Sequence, residues 1–242
     1  MQPIEHKLVH YYQPTNHSCG QTATAMLLSS LGRSDSPEEV LASVPVLSVG
    51  TIAEWGTLSQ SLAKWMLDEG FTVEMHTADF QIIDLEWAGL DRKALLARMK
   101  QALDTRILPS LGEELSKVFL QTYIDYIEAG GVFHIHSYMS SDLLNKLLLR
   151  GPVFIDVSPN VLFSYGRSRD VAIRKSERDD LRGSLDTHFV VLYGINEEGR
   201  YLLADPWFEP GRHEVESERL LCAMTAGQIQ CENTIFQASR PE

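Results

Sequence analysis

The spacing of apolar residues changes about halfway along the chain. In the first half it is mostly helical. A run of small and apolar residues from Cys19 to Leu31 stops at Gly32, a natural C-terminal stop. Ser36-Pro37-Glu38-Glu39 puts a capping serine, a proline at the first helical position and a glutamate three residues on, so a helix is predicted to start there. Thr57-Leu58-Ser59-Gln60 repeats that logic. Its helix is predicted to bury Leu58, Leu62, Trp65 and Met66 and to end at Gly70. Phe71 to Met75 alternates like a strand. Two more helices are predicted, over Arg92 to Leu103 and about Glu113 to Glu128, before Gly130-Gly131.

Strands dominate the second half. Val132 to His136 and Val153 to Val157 read as strands, with a helix between them that Ser141-Asp142 caps and that ends near Arg150. Phe189 to Ile195 and Tyr201 to Ala204 flank the turn signal Asn196-Glu197-Glu198-Gly199, which predicts a hairpin. A helix near Glu216 to Ala226 and a strand around Thr234 to Gln237 follow. Helices first and antiparallel strands later describe an α+β fold. The expectation is one domain over residues 1–242, helical over about 1–130 and sheet over about 131–242. Arg167 to Asp186 has almost no apolar period and reads as a loop or a solvated helix. It is rich in arginine and ends two residues before His188, so it is expected beside any site there and to engage an acidic substrate.

Composition narrows the function. The 242 residues carry a net charge of −12, which argues against nucleic acid as a partner. No apolar run reaches the roughly 18 residues of a membrane helix, and Met1 to Lys7 lacks a signal pattern, so a cytoplasmic protein off the membrane is expected. Three cysteines are too few for a disulfide scaffold or a cysteine-rich zinc site. Cys222 and Cys231 read as small residues near a C-terminal helix and strand rather than as a pair. No cofactor and no metal are expected. His134 and His136 share one strand face and offer two ligands, but the structural reading is preferred because no Cys or Glu pattern accompanies them.

The chemistry converges on Cys19. It stands where a Pro- and polar-rich stretch, Tyr11 to Ser18, meets the predicted helix, so its thiol lies at a helix N-terminus that favours the thiolate. Gln13 lies six residues upstream. Far downstream, His188 opens one hairpin strand and Asp205 follows the other. If the hairpin turns about Asn196-Glu197, facing residues sum to ~393, and a wider turn gives ~395. His188 and Asp205 are then neighbours across the hairpin, close enough for an imidazole–carboxylate bond. Asp205 would fix the His188 tautomer. Gln13 and the Cys19 backbone N–H would hold an oxyanion.

Tyr12 to Met26, the glutamine six residues before the cysteine, Thr187-His188-Phe189-Val190-Val191 and Ala204-Asp205-Pro206 together resemble the double-glycine leader peptidases. Those are the bacteriocin-processing domains of the papain-like superfamily, and the closer resemblance is to their stand-alone soluble bacterial relatives. Gly56 to Phe71 and Leu149 to Val153 extend it, so that it spans about Val9 to Pro206. The resemblance implies a papain-like fold with the Cys helix packed on an antiparallel sheet that carries His and Asp. It implies Cys19 as nucleophile, His188 as base, Asp205 as orienting acid and Gln13 in the oxyanion hole of a cysteine peptidase. Cys19-Gly20-Gln21 departs from the family's usual Cys-Gly-Pro, and His17 has no counterpart in the pattern. The expected activity is hydrolysis of a peptide or small amide through an acyl-enzyme. The alternatives are an acyl or peptidyl transferase on the same residues, as in the similar phytochelatin synthases, and an inactive peptide-binding module.

Overall fold

The computed structural model describes residues 2–49, 52–105, 112–172, 175–228 and 232–241. The chain begins with a short strand β1 (Ile4–Glu5), helices α1 (Cys19–Ser30) and α2 (Pro37–Ser43), a hairpin of β2 (Leu47–Val49) and β3 (Ile52–Gly56), helix α3 (Ser59–Asp68) and strand β4 (Thr72–Thr77). Helices α4 (Arg92–Ala102) and α5 (Gly112–Glu128) complete the first half. Strand β5 (Val132–Ile135), helix α6 (Ser141–Leu148), strand β6 (Val153–Val157), the single turn α7 (Pro159–Leu162), and strands β7 (Ser168–Ala172) and β8 (Lys175–Arg178) follow. The chain then runs through β9 (His188–Ile195), β10 (Tyr201–Ala204), β11 (Arg212–Val215), α8 (Ser217–Gly227) and β12 (Thr234–Ser239).

The α+β class expected from the sequence is the class observed. One sheet runs in the order β11-β10-β9-β6-β12-β4-β5, with β1 added to β9. It is mixed rather than purely antiparallel, because β4 and β5 pair in parallel, Glu74 level with Val132 and His76 with His134. The expected split into a helical half and a sheet half does not hold strand by strand, since β4 comes from the first half. Its alternation buries Val73 and Met75 against α3 and α5, and polar Glu74 and His76 take the other face.

Each face of the sheet covers a core. Phe154, Phe189, Val191, Tyr193 and Phe236 pack under α1, α3 and α5. Val153, Ile155, Val190, Leu192 and Ile235 pack under α6 and α8. Helix α2 carries the predicted capping box: Ser36 Oγ accepts from Glu39 N–H, and Glu39 accepts from Ser36 N–H. Helix α3 is different. Leu58 occupies its N-cap without a side-chain bond, and Thr57 turns its hydroxyl to Gln21. The cap comes from the far end of the chain, where Glu232 accepts from Ser59 N–H at 3.0 Å and Ser59 Oγ at 2.8 Å.

Among the described residues, Glu232 is one of four fully buried acids, with Asp79, Asp156 and Asp205. Burial, then the Glu232 charge, lifts Asp79 to about 7. Burial, then the charges of Glu232 and Cys19, pushes Asp156 well above the carboxylate range, and neither of its oxygens has a hydrogen-bond partner.

The Cys helix lies against β9 through Gly20. A Cβ there would stand 2.9 Å from Leu62 Cδ1 and 3.1 Å from Phe189 Cδ2. Gly20→Val is therefore expected to lower stability by about 1–3 kcal/mol in urea unfolding, the usual range for overpacking. The better helix propensity of valine returns only about 0.4 kcal/mol. An unchanged unfolding midpoint would show that the contact gives way freely.

Candidate active site

Cys19 is the first residue of α1, so its N–H has no acceptor within the helix. The N-cap residue Ser18 makes no side-chain cap. Its hydroxyl is engaged with Thr15 instead, accepting from Thr15 N–H at 3.1 Å. No acidic residue occupies the first turn. The positive end of the helix is thus left to the thiol. Gln21 is buried and donates to Val44 O at 2.8 Å and to the Thr57 hydroxyl. It ties α1 to the end of α2 and to the entry of α3.

His188 opens β9 at the end of the sheet, where α1 meets it. The hairpin register is that of the wider turn rather than of a two-residue turn. Tyr201 faces Ile195 and Leu202 faces Gly194, then a bulge shifts the ladder so that Leu203 faces Leu192 and Ala204 faces Val191. Continued, that ladder sets Asp205 diagonally from His188 on the same face, within side-chain reach. His188 Nε2 meets Asp205 Oδ1 at 3.0 Å. The same Oδ1 accepts from Trp207 N–H at 2.7 Å and Phe208 N–H at 2.9 Å.

The Cys19 side chain also acts on the imidazole and favours its protonated form. Burial opposes a charge on His188, but the Asp205 carboxylate, followed by the Cys19 contact, outweighs it and lifts the imidazole to about 10. Burial would likewise raise Asp205. The His188 charge and the hydrogen bonds from His188, Trp207 and Phe208 instead hold it below the usual carboxylate range. Phe208 stands edge-on to the His188 ring, with centroids 5.9 Å apart.

Gln13 reaches this group on a strap, the extended segment 6–13. His6 N–H donates to Tyr193 O, His10 Nε2 lies 2.8 Å from Asp205 O, and Gln13 N–H donates to Pro206 O at 2.9 Å. The strap fits because Gly211 lies beneath it: with φ +82°, a Cβ there would stand 2.5 Å from the His10 ring. Gln13 is buried beside Cys19. Its Nε2 donates to Thr15 O at 2.7 Å, which commits one amide hydrogen, and its Oε1 has no hydrogen-bond partner. All four residues singled out from the sequence therefore lie together.

They line or adjoin a cleft of about 410 Å³. Its walls include residues that the sequence reading did not assign, among them Asn16, Tyr165, Asp186, Trp207 and Phe208. Trp207 and Phe208 directly follow Asp205-Pro206, which was the one available signal. Asp186 accepts from Ser168 Oγ at 2.9 Å. Burial raises its carboxyl above the ordinary value.

The segment 167–186 does border the cleft, as expected; it is loop after Arg178, and strand rather than loop or helix before it. It forms the β7–β8 hairpin, anchored by Asn16 Nδ2, which donates to Asp170 Oδ2 at 2.9 Å and Ala172 O at 3.1 Å. Its arginines also serve differently. Arg169 and Arg182 pair with Asp179, and Arg178 lies over the Tyr165 ring. Among the described residues, the charges that line the cleft from this segment are Asp170 and Asp186. Arg174 and Cys231 lie outside the described residues. Cys222 is a free, exposed cysteine.

No family model matches the chain, and no curated protein matches it. Among solved structures, it is similar to a double glycine motif protease from an AMS/PCAT transporter in complex with the leader peptide. Identity is 12%, the match covers 100% of this chain and 99% of that one, and the TM-score is 0.46. It is also similar to a protein from Bacillus anthracis described as a C39-like peptidase, at 13% identity, full coverage of both chains and a TM-score of 0.49. Among the described residues, no helix is long and apolar enough to cross a membrane.

Proposed function

We propose that the protein is a cysteine hydrolase that cleaves an amide bond, in the first instance of a peptide, through an acyl-enzyme on Cys19. The observation that carries this reading is His188 bonded to Asp205 Oδ1 at 3.0 Å in a cleft that the Cys19 thiol also lines, with both groups favouring the charged imidazole. An imidazole raised to about 10 keeps its proton at neutral pH. It therefore supports a thiolate–imidazolium pair.

The thiolate attacks the substrate carbonyl, forming the S–C bond and moving an electron pair onto oxygen. The Cys19 N–H and the second amide hydrogen of Gln13 are the donors placed to receive that oxyanion. His188 gives its proton to the departing amine as the C–N bond breaks. Water then enters, His188 takes a proton from it, and the thioester C–S bond breaks to release the carboxylic acid. Asp205 stabilises the imidazolium throughout. The acidic groups Asp170 and Asp186 favour neutral or basic side chains in the bound peptide, in place of the acidic substrate expected from the arginine count.

Iodoacetamide labelling at pH 6 with peptide mapping tests the reading. Cys19 should be alkylated well ahead of Cys222, although Cys222 is the more exposed thiol. Equal labelling would remove the activated nucleophile. A peptide library incubated with and without an amine acceptor then separates hydrolysis from acyl transfer: free carboxyl products in both arms support hydrolysis, and amide products formed only with the acceptor support transfer.

A further inference from the structure

A second polar cluster lies on the opposite side of the sheet order from the thiol. His188 is on β9 and the cluster is on β4 and β5, three and four strand spacings away, or about 14 and 19 Å. Strand alternation sends Val73, Met75, Phe133 and Ile135 into the core, which puts Glu74, His76 and His134 on the other face. The parallel register sets His76 level with His134, and Glu74 precedes His76 by two residues on the same face. Neither the register nor this triple is visible in the sequence, where His134 pairs most simply with His136.

The atoms meet closely. Glu74 Oε1 lies 3.0 Å from His134 Nε2 and 3.4 Å from His76 Nε2. One ligand atom from each of the three residues lies within 4.8 Å of the others. Both Nε2 atoms are covered, and neither has a hydrogen-bond partner among the described residues, despite that proximity to a carboxylate. His76 itself is 4% exposed, so its Nε2 has no ready access to solvent. Three ligand atoms gathered within 4.8 Å, without a hydrogen bond joining them, suit a ligand set better than a hydrogen-bonded network.

The surroundings fit the same reading. Arg150 Nη1 holds the other carboxylate oxygen, Glu74 Oε2, at 2.6 Å, which leaves Oε1 as the ligand atom. His136 Nε2 lies 2.9 Å from His76 Nδ1 and so fixes the ring that presents Nε2 to the cluster. Metal-binding histidines and carboxylates are oriented in this way by a partner on their other atom.

We infer that Glu74, His76 and His134 form a binding site for a divalent transition metal ion, with Zn²⁺ as its natural occupant. Two imidazoles exclude Mg²⁺ and Ca²⁺, which take oxygen ligands, and a carboxylate with two imidazoles suits Zn²⁺. At Zn–N and Zn–O lengths near 2.1 Å, tetrahedral ligands stand about 3.4 Å apart, close to the two distances observed. The ion would join edge strand β5 to β4.

The test uses the full chain carrying Cys19→Ala, which removes the thiol–imidazole pair as a competing zinc site. Titration with Zn²⁺ against a chromophoric chelator should show one bound ion, and binding should raise Tm. His134→Gln should weaken Zn²⁺ about 100-fold and abolish the Tm rise. The variant should still fold, because that side chain is 43% exposed on an edge strand. His136→Gln, which acts through His76, should weaken it about 10-fold. Co²⁺ should give visible bands of nitrogen and oxygen coordination without a thiolate charge-transfer band. No binding, unchanged affinity in His134→Gln, or a thiolate band that moves the ion to Cys222 would each overturn the assignment. None of these outcomes bears on the Cys19 reading.

Discussion

Asp205→Asn should slow acylation of Cys19 by about 10²-fold at pH 8 and leave the fold intact. Asn keeps Oδ1, the atom that accepts from Trp207, Phe208 and His188. It places its new NH₂ where Oδ2 makes no hydrogen bond. The geometry survives and the charge is lost. Without that charge, burial pulls the His188 pKa down from about 10. The imidazolium then fails in the neutral range, and the alkaline limb of the pH–rate profile moves down. The effect should fall short of the roughly 10⁴-fold seen when a serine triad loses its carboxylate. A thiol needs less help from its base, and papain-like enzymes work with an amide in this place. A single-turnover pH profile with an activated ester measures it. An unmoved alkaline limb would mean that His188 holds its proton without Asp205.

The second large effect concerns stability. Asp79→Asn should flatten the pH dependence of unfolding between about pH 4 and pH 7. Asp79 has its ordinary value of 3.8 in the unfolded chain and about 7 when folded, raised by burial first and the Glu232 charge second. Below pH 3.8 both states hold the proton, and the contribution to stability is complete. As pH rises through 7 the unfolded chain has released its proton while the folded chain has retained it. Stability therefore falls with rising pH, by about 4 kcal/mol over the whole window. Asn keeps an oxygen for the Gln81 and Ile82 N–H groups and turns an amide toward Tyr123 Oη, which can accept. The variant should match the parent near pH 4 and exceed it by up to that amount at pH 7. The comparison cancels His76, whose depressed pKa tilts stability the opposite way in both proteins. Parallel curves for the two proteins would show that Asp79 carries no pH-dependent burden.

Much of this arrangement was legible from local chemistry. The start of α1, the capping box of α2, the turn between β9 and β10 and the four residues around the thiol all follow from short stretches of sequence. The misses came from long-range pairing. The hairpin follows the wider-turn alternative next to the site, where Ala204 faces Val191, and reaches it only through a bulge that no turn rule counts. The cap of α3 was misassigned to Thr57-Leu58 because Glu232 supplies it from another part of the chain. The β7–β8 hairpin is exposed on both faces, so it lacks the apolar alternation that marks a strand. His76 could not be joined to His134 without the parallel register of β4 and β5.

The order of strands has a consequence for how the chain is made. Strand β12, the last described, lies between β6 and β4 in the middle of the sheet. During vectorial synthesis β9 can pair with β6 and β5 with β4, but these two ribbons share no direct ladder. Residues 234–239 join them, antiparallel to both, and Glu232 just before them closes the N-terminus of α3. The nascent chain thus holds Cys19, His188 and Asp205 before it has a continuous sheet to support them. Residues 234–239 act as a keystone, so a chain clipped before them would hold two unjoined ribbons, with Cys19, His188 and Asp205 all on the one built around β9.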